Sequence, residues 1–255
     1  MRVLFLGDIV GSCGRRAVVG TVPRLRRELD LDFVVANGEN VAGGRGITES
    51  TARQLFEHGV DVISGGNHTF QHRDAYAYLD EEPKILRPAN YPPGAPGHGV
   101  ANVGDLTVVN VIGRTFMAAE YDDPFRAVDT ILERIDPRRF ILVDFHAEAT
   151  SEKQAMGWYL DGRVTAVVGT HTHVPTADCR VLPAGTGFCT DAGMCGARDS
   201  IIGDEVEAVL ERFRTQLPTR LPAADGPAVL NGVLVEADPV TRRAVRIERV
   251  DVAAD

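Results

Sequence analysis

The chain has 255 residues, and at about 150 residues per domain this leaves room for one large domain with a sizeable core. Hydrophobic residues make up 44% and charged residues 25%, ordinary globular usage that excludes a disordered, collagen-like or coiled-coil chain. A net charge of −9 excludes a broad nucleic-acid surface, because affinity for a phosphate backbone comes from Lys and Arg, but it leaves room for a small phosphate ester.

The opening MRVLFLGD has an apolar run only at 3–6, too short for a signal-peptide core or a membrane span, which predicts a cytoplasmic protein with no membrane partner. Runs rich in Val, Ile and Leu at 3–6, 33–36, 62–63, 106–112, 140–143 and 164–168 predict buried strands. Between several of them, helical spacing recurs at 15–29, 48–58, 124–135, 150–160 and 204–216. This alternation predicts an α/β fold. Pro and Gly mark 87–99 and 218–227 as loops, and Thr150 with Ser151 reads as a cap for the following helix. The two-residue alternation of VLNGVLVEAD and RRAVRIERV predicts a closing antiparallel pair around Asp238 and Pro239. Cys13, Cys179, Cys189 and Cys195 form no CxxC pair and read as reduced thiols.

The polar residues at the strand ends carry the functional signal. Five strands run directly into short motifs: VLFLGDIVG delivers Asp8, FVVANGEN delivers Glu39 and Asn40, and VISGGNHT delivers Asn67 and His68; FILVDFHAE delivers His146, and VTAVVGTHTHV delivers His171 and His173. Ligands of open α/β sheets bind beyond the carboxyl ends of the strands, so these residues can converge there. Taken singly, a histidine after a strand is an ordinary loop residue, and NGEN or GDIVG is an ordinary turn. Two His at i and i+2 lie on one side of extended backbone and suit a metal. Five such accidents at matching strand ends are improbable together. Nitrogen and oxygen ligands without paired thiolates favour Mn, Fe or Zn, and this many candidates suit two ions better than one. Two divalent ions outweigh the carboxylates of Asp8 and Glu39, leaving a positive site that attracts phosphate and can clamp both oxygens of an in-line displacement.

GD (7–8), NGEN (37–40), GNHT (66–69), DFHAE (144–148) and GTHTHV (169–174) resemble the motifs of the calcineurin-like metallophosphoesterases, and more narrowly those of the bacterial YmdB-type branch. The resemblance runs from Asp8 to TDAGMCG (190–196). It implies a four-layer α/β/β/α sandwich over residues 1–255, a single metallophosphoesterase domain with a binuclear metal site at the strand carboxyl ends. The sequence departs from the wider superfamily, with Ile9 and Val10 where a first-loop His is usual, Glu39 for the usual Asp, and Thr69 for the usual acid after His68; the narrower branch shares these changes. By resemblance, Asp8, Glu39, Asn40 and His173 hold one ion, and Glu39, Asn67, His146 and His171 hold the other, with Glu39 bridging. It also implies iron, with manganese as the alternative, a metal-bridging hydroxide as nucleophile and His68 as the proton donor to the departing oxygen. The implied activity is hydrolysis of 2',3'-cyclic nucleotides at the 2' bond. A phosphomonoesterase, a regulatory nucleotide-binding protein with a vestigial metal site, and a TIM-barrel amidohydrolase are the competing readings. The last expects its His-x-His pair after an early strand, not at 171–173.

GGRG (43–46) lacks the Lys and Ser/Thr order of a P-loop. Arg45 and Arg114 are candidate phosphate contacts in a chain whose 27 basic residues are Lys84, Lys153 and 25 arginines. His58, His72 and His98 fall outside the motifs, and TDAGMCG reads as a structural loop whose Cys195 has no partner base. A homo-oligomer is compatible with the sequence.

Overall fold

The apolar runs pair into two sheets in the computed structural model, which describes residues 1–254. In chain order the elements are β1 (Arg2–Leu6), β2 (Asp8–Ile9), α1 (Gly11–Glu28), β3 (Phe33–Asn37), α2 (Glu49–Glu57), β4 (Val62–Ser64), α3 (Tyr76–Glu81), β5 (Val100–Val103) and β6 (Leu106–Ile112). They continue with α4 (Pro124–Leu132), β7 (Phe140–His146), α5 (Thr150–Tyr159), β8 (Ala166–Thr170), β9 (Arg180–Val181), β10 (Gly187–Cys189), β11 (Met194–Ala197), α6 (Val206–Thr215), β12 (Ala228–Ala237) and β13 (Ala244–Ala254). The first sheet runs β2-β11-β12-β1-β3-β4 with β13 also on β12; the second runs β5-β6-β7-β8-β10-β9. The predicted mixed α/β class is therefore observed, and the closing pair is the β12–β13 hairpin.

Alternate residues of each strand enter different cores, as the two-residue period of extended backbone requires. Leu4, Leu6, Val34 and Ala36 pack with Val18, Val22, Leu25 and Leu55 of α1 and α2. Val3, Phe5 and Val35 pack instead against Val108, Leu142 and Val168 of the second sheet. On the far side of that sheet, Val109, Val111, Val143 and Phe145 meet Val128 of α4 and Met156 of α5. Strands buried on both faces read as continuous apolar runs, which is why β6 and β7 were conspicuous in the sequence.

One irregularity positions the site. Strand β12 has β13 along one edge, while its other edge is divided between β11 at residues 228–230 and β1 at residues 232–236. Between the two segments Gly7 N–H donates to Asn231 O at 3.0 Å, and the chain then leaves β1 to pair with β11 as β2. A Cβ at Gly7 would overlap the Gly193 carbonyl, so only glycine permits the split. Asp8, the next residue, is thereby turned into the molecule and fully buried.

Three expectations change. Helix α1 begins at Gly11, four residues before the predicted 15, because Cys13, Gly14 and Ala17 bury against β11 without any side-chain cap. Thr150 and Ser151 are not caps: Ala149 holds the N-cap position with no side-chain hydrogen bond. TDAGMCG is only partly a loop, since Met194–Ala197 is strand β11. Among the described residues, no helix is long and apolar enough to cross a membrane.

Candidate metal centre

Strands β1, β3, β4, β7 and β8 end at one edge of the molecule, and their following residues meet there. Glu39, His146 and His171 offer ligand atoms that all lie within 4.8 Å of one another. His146 Nε2 is 3.4 Å from Glu39 Oε2, 2.9 Å from Asn67 Oδ1 and 3.1 Å from His171 Nδ1. Beside this group, Asp8 Oδ1 is 3.9 Å from both His146 Nδ1 and His173 Nε2, and Asn40 Nδ2 is 3.0 Å from His173 Nε2. All seven residues expected as ligands thus fall in one connected cluster.

Backbone geometry fixes the donors. His171 and His173 have φ of 99° and 64°, a left-handed conformation that turns the chain sharply off β8. His171 N–H donates to Asp8 Oδ2 at 3.1 Å, and His68 N–H donates to Glu39 Oε2 at 2.9 Å. His173 Nδ1 donates to the Ile202 carbonyl at 2.6 Å, which puts the lone pair on Nε2, where it accepts from Asn40 Nδ2. A Cβ at Gly66 would overlap Glu39 Oε2 and His146 Nε2, so the glycine keeps the centre open.

His146 is oriented by a buried relay. Thr170 Oγ1 donates to Asp144 Oδ1 at 2.7 Å and accepts from His146 Nδ1 at 2.9 Å. Asp144 Oδ2 accepts from Ser64 Oγ at 2.5 Å and from Asn37 Nδ2 at 3.1 Å. With Nδ1 engaged, the lone pair of neutral His146 lies on Nε2, facing Glu39, Asn67 and His171.

The electrostatics ask for a cation. Burial works to raise Glu39, yet the charge and hydrogen bond of His146, with His68 behind them, hold it at about 2. Burial likewise opposes charge on His146, but Glu39, Asp8 and Asp144 outweigh it and lift its pKa to about 9. Burial raises the pKa of Asp8, against the pull of His173 and His146, and lowers that of His171, with His146, to about 3. Two buried oxygens, Asp8 Oδ1 and Asn40 Oδ1, have no hydrogen-bond partner. Unpaired buried oxygens cost free energy, and a metal ion is the partner that two oxygens beside an imidazole suit. The donor set therefore fits divalent ions.

A cavity of about 350 Å³ opens over the centre, lined by Glu39, Asn40, Arg45, His68, His171 and His173. Burial, with Arg45 adding to it, lowers the pKa of His68. Arg45 reaches the cavity, whereas Arg114 pairs with Asp123 at 3.0 Å and is not in its lining. His72 Nε2 meets the Arg45 carbonyl at 3.0 Å, so the GGRG loop is held as a structural turn. His58 and His98 engage the carbonyls of Gln54 and Asp80.

Sequence reasoning missed Glu148, Thr172 and Asp204 in the cavity wall. Glu148 Oε2 is 3.1 Å from His171 Nε2 and could have been found two residues after His146 in DFHAE. Asp204 follows no strand and had no signal.

Comparison with known proteins adds a consistent set of likenesses. A model of the YmdB-like protein family matches residues 4–250. The chain is 47% identical over 260 residues to the 2',3'-cyclic-nucleotide 2'-phosphodiesterase of Bacillus subtilis (strain 168), covering 100% of this chain and 98% of that protein. A crystal structure of a hypothetical protein from Thermus thermophilus superposes with a TM-score of 0.94 at 47% identity, covering 100% of both chains. A crystal structure of a novel phosphatase from Mycoplasma pneumoniae gives 0.93 at 32% identity, covering 100% of this chain and 94% of the other.

Proposed function

The chain belongs to the YmdB-like protein family, and from that premise we propose that it is a metal-dependent phosphodiesterase that opens 2',3'-cyclic nucleotides at the 2' bond to give the 3'-monophosphate. The convergence of Glu39, His146 and His171 within 4.8 Å, under a cavity that also presents His68 and Arg45, carries this reading. The 47% identity to a protein named for that reaction supports it.

Asp8, Glu39, Asn40 and His173 would hold one ion and Glu39, Asn67, His146 and His171 the other, with Glu39 common to both; iron is the expected metal and manganese the alternative. When bound, the ions supply positive charge against the phosphoryl oxygens and lower the pKa of water. Arg45 attracts the phosphate from the rim, and His68 gives its proton to the departing 2' oxygen. An anionic phosphate beside His68 would oppose the lowering of its pKa by burial and Arg45, favouring the protonated donor. The three apolar clusters support a four-layer stacking of helices, sheet, sheet and helices in one unit over residues 1–255. A cytoplasmic location belongs to the same reading.

The test is product analysis. Protein loaded with Fe2+ or Mn2+ should convert 2',3'-cyclic AMP to 3'-AMP, and His68→Ala should lower kcat by about 10²–10⁴. Release of 2'-AMP, or no turnover with either metal, overturns the proposal.

Metal loading has its own signature. The folded metal-free protein keeps His146 protonated below its pKa of about 9, and a ligating imidazole must be neutral. Adding Mn2+ at pH 7.5 should therefore release about one proton from His146, and this release should fade as the pH is raised through about 9. Calorimetric titration in buffers of different ionisation enthalpy measures it. A release that does not change between pH 7.5 and pH 10 would exclude His146 as a ligand.

A further inference from the structure

Two cavities meet at one turn. The cavity over the metal centre, about 350 Å³, and a second of about 610 Å³ share Ile202, Asp204 and Leu221 in their walls. The turn between them is tightly specified. Ile202 has φ of 49°, rare for a β-branched residue, the backbones of Ile201 and Asp204 pair with each other, and Asp204 also pairs with Ala223. The Ile202 carbonyl receives the Nδ1 proton of His173. One turn thus holds a candidate ligand ring and sets the boundary between the two spaces.

The two spaces differ in chemistry. The metal side presents His68, His171, His173 and Arg45 beside the carboxylates of Glu39, Glu148 and Asp204, a set that would suit a phosphate once divalent ions are bound. The other side is walled by Ile202, Val209, Phe213 and Leu221, with Arg212 and Gln216 as polar groups. Phe213 is 70% exposed and Ile202 51%, so a flat apolar ligand would cover surface that now faces water. Asp204 belongs to the walls of both spaces, with Arg45 on the metal side and Arg212 on the other.

A ligand with phosphate at one end and a planar ring with apolar faces and a polar edge at the other fits this pair of spaces. Resting on the cyclic-nucleotide reading above, we infer that the second cavity is the base subsite, in which the nucleobase stacks on Phe213 between Ile202 and Leu221. The enzyme then distinguishes nucleotides from small diesters by the base, through a contact remote from the reacting phosphorus.

The test compares 2',3'-cyclic AMP with methyl riboside 2',3'-cyclic phosphate, which lacks the base, on the metal-loaded protein and on Phe213→Ala. Base stacking is worth enough that the variant should raise KM for 2',3'-cyclic AMP about tenfold at unchanged kcat, with no effect on the base-free diester. Leu210→Ala, on the same helix but outside this cavity, should change neither. Saturation-transfer NMR of adenosine with metal-free protein gives a readout independent of catalysis: the base protons should receive the strongest transfer, and Phe213→Ala should remove it. Equal kcat/KM for the two diesters, or adenosine transfer unaltered in the variant, overturns the inference. If the wild type turns over neither diester while adenosine still shows Phe213-dependent transfer, the base subsite stands and the catalytic proposal falls. If Phe213→Ala and Leu210→Ala both change the mass in solution and leave adenosine transfer intact, the face joins copies of the chain and the inference is wrong.

Discussion

Asp144→Asn will lower the affinity for Mn2+ by about 10–100-fold, although Asp144 is not among the expected ligands. Its two oxygens accept from Thr170, Ser64 and Asn37, so every close partner is donating toward it. An asparagine must present an NH2 to one side. Facing Ser64 and Asn37, that NH2 meets the Asn37 NH2 and leaves donors without acceptors. Facing Thr170, it forces the threonine hydroxyl to accept and to turn its own proton toward His146 Nδ1. The imidazole then carries its proton on Nε2, the atom that faces Glu39, Asn67 and His171, and a metal must displace it. Titration against a fluorescent chelator measures the affinity. The 15N shifts of His146 in metal-free protein above pH 9, where the ring is neutral, show whether the proton has moved. An unchanged affinity together with an unchanged tautomer would remove Asp144 from the account of the site.

The same residue shows where the sequence ceases to be readable. Asp8, Glu39, Asn67, His146 and the His171/His173 pair were visible because metal-capable side chains stood out at the ends of apolar strands. Asp144 lies within DFHAE, but a carboxylate buried to orient a histidine is spelled like one on the surface; its role exists only once Ser64, Thr170 and Asn37 have come from three other strands. Strands β6 and β7, of seven residues each, were legible by their continuity, while β9 to β11 were not, being two to four residues long and set among turns. The onset of α1 at Gly11 lacks a capping side chain and so left no mark. Asp204 and the apolar cavity beside it depend on a turn at Ile202 that sequence patterns do not announce. Local chemistry was legible, and contacts made by tertiary packing were not.

Lys153 is the second such residue, and Lys153→Met should cost about 3–5 kcal/mol of stability. Lysines are ordinarily exposed, yet Lys153 is 1% exposed and its Nζ lies 2.6 Å from Asp191 Oδ2, itself equally buried. Asp191 also accepts from the Thr172 N–H at 3.2 Å, the Thr172 hydroxyl at 2.8 Å and the Gly193 N–H at 2.8 Å. Methionine fills the space but leaves the carboxylate without its counter-charge, the situation in which breaking a buried pair is most costly. For a chain of this length, about 2–4 °C per kcal/mol puts the fall in melting temperature at about 6–20 °C. The double variant Lys153→Met/Asp191→Asn removes the stranded charge and should recover part of that loss. The double variant, unlike Lys153→Met alone, should lower metal affinity, because Thr172 stands between His171 and His173 and the Asp191 carboxylate is what fixes that turn. Melting curves and Mn2+ titrations of the wild type and both variants separate the two effects. A single variant melting within about 2 °C of the wild type would show that the pair contributes little to stability, and a double variant with wild-type metal affinity would show that Asp191 does not position the two histidines.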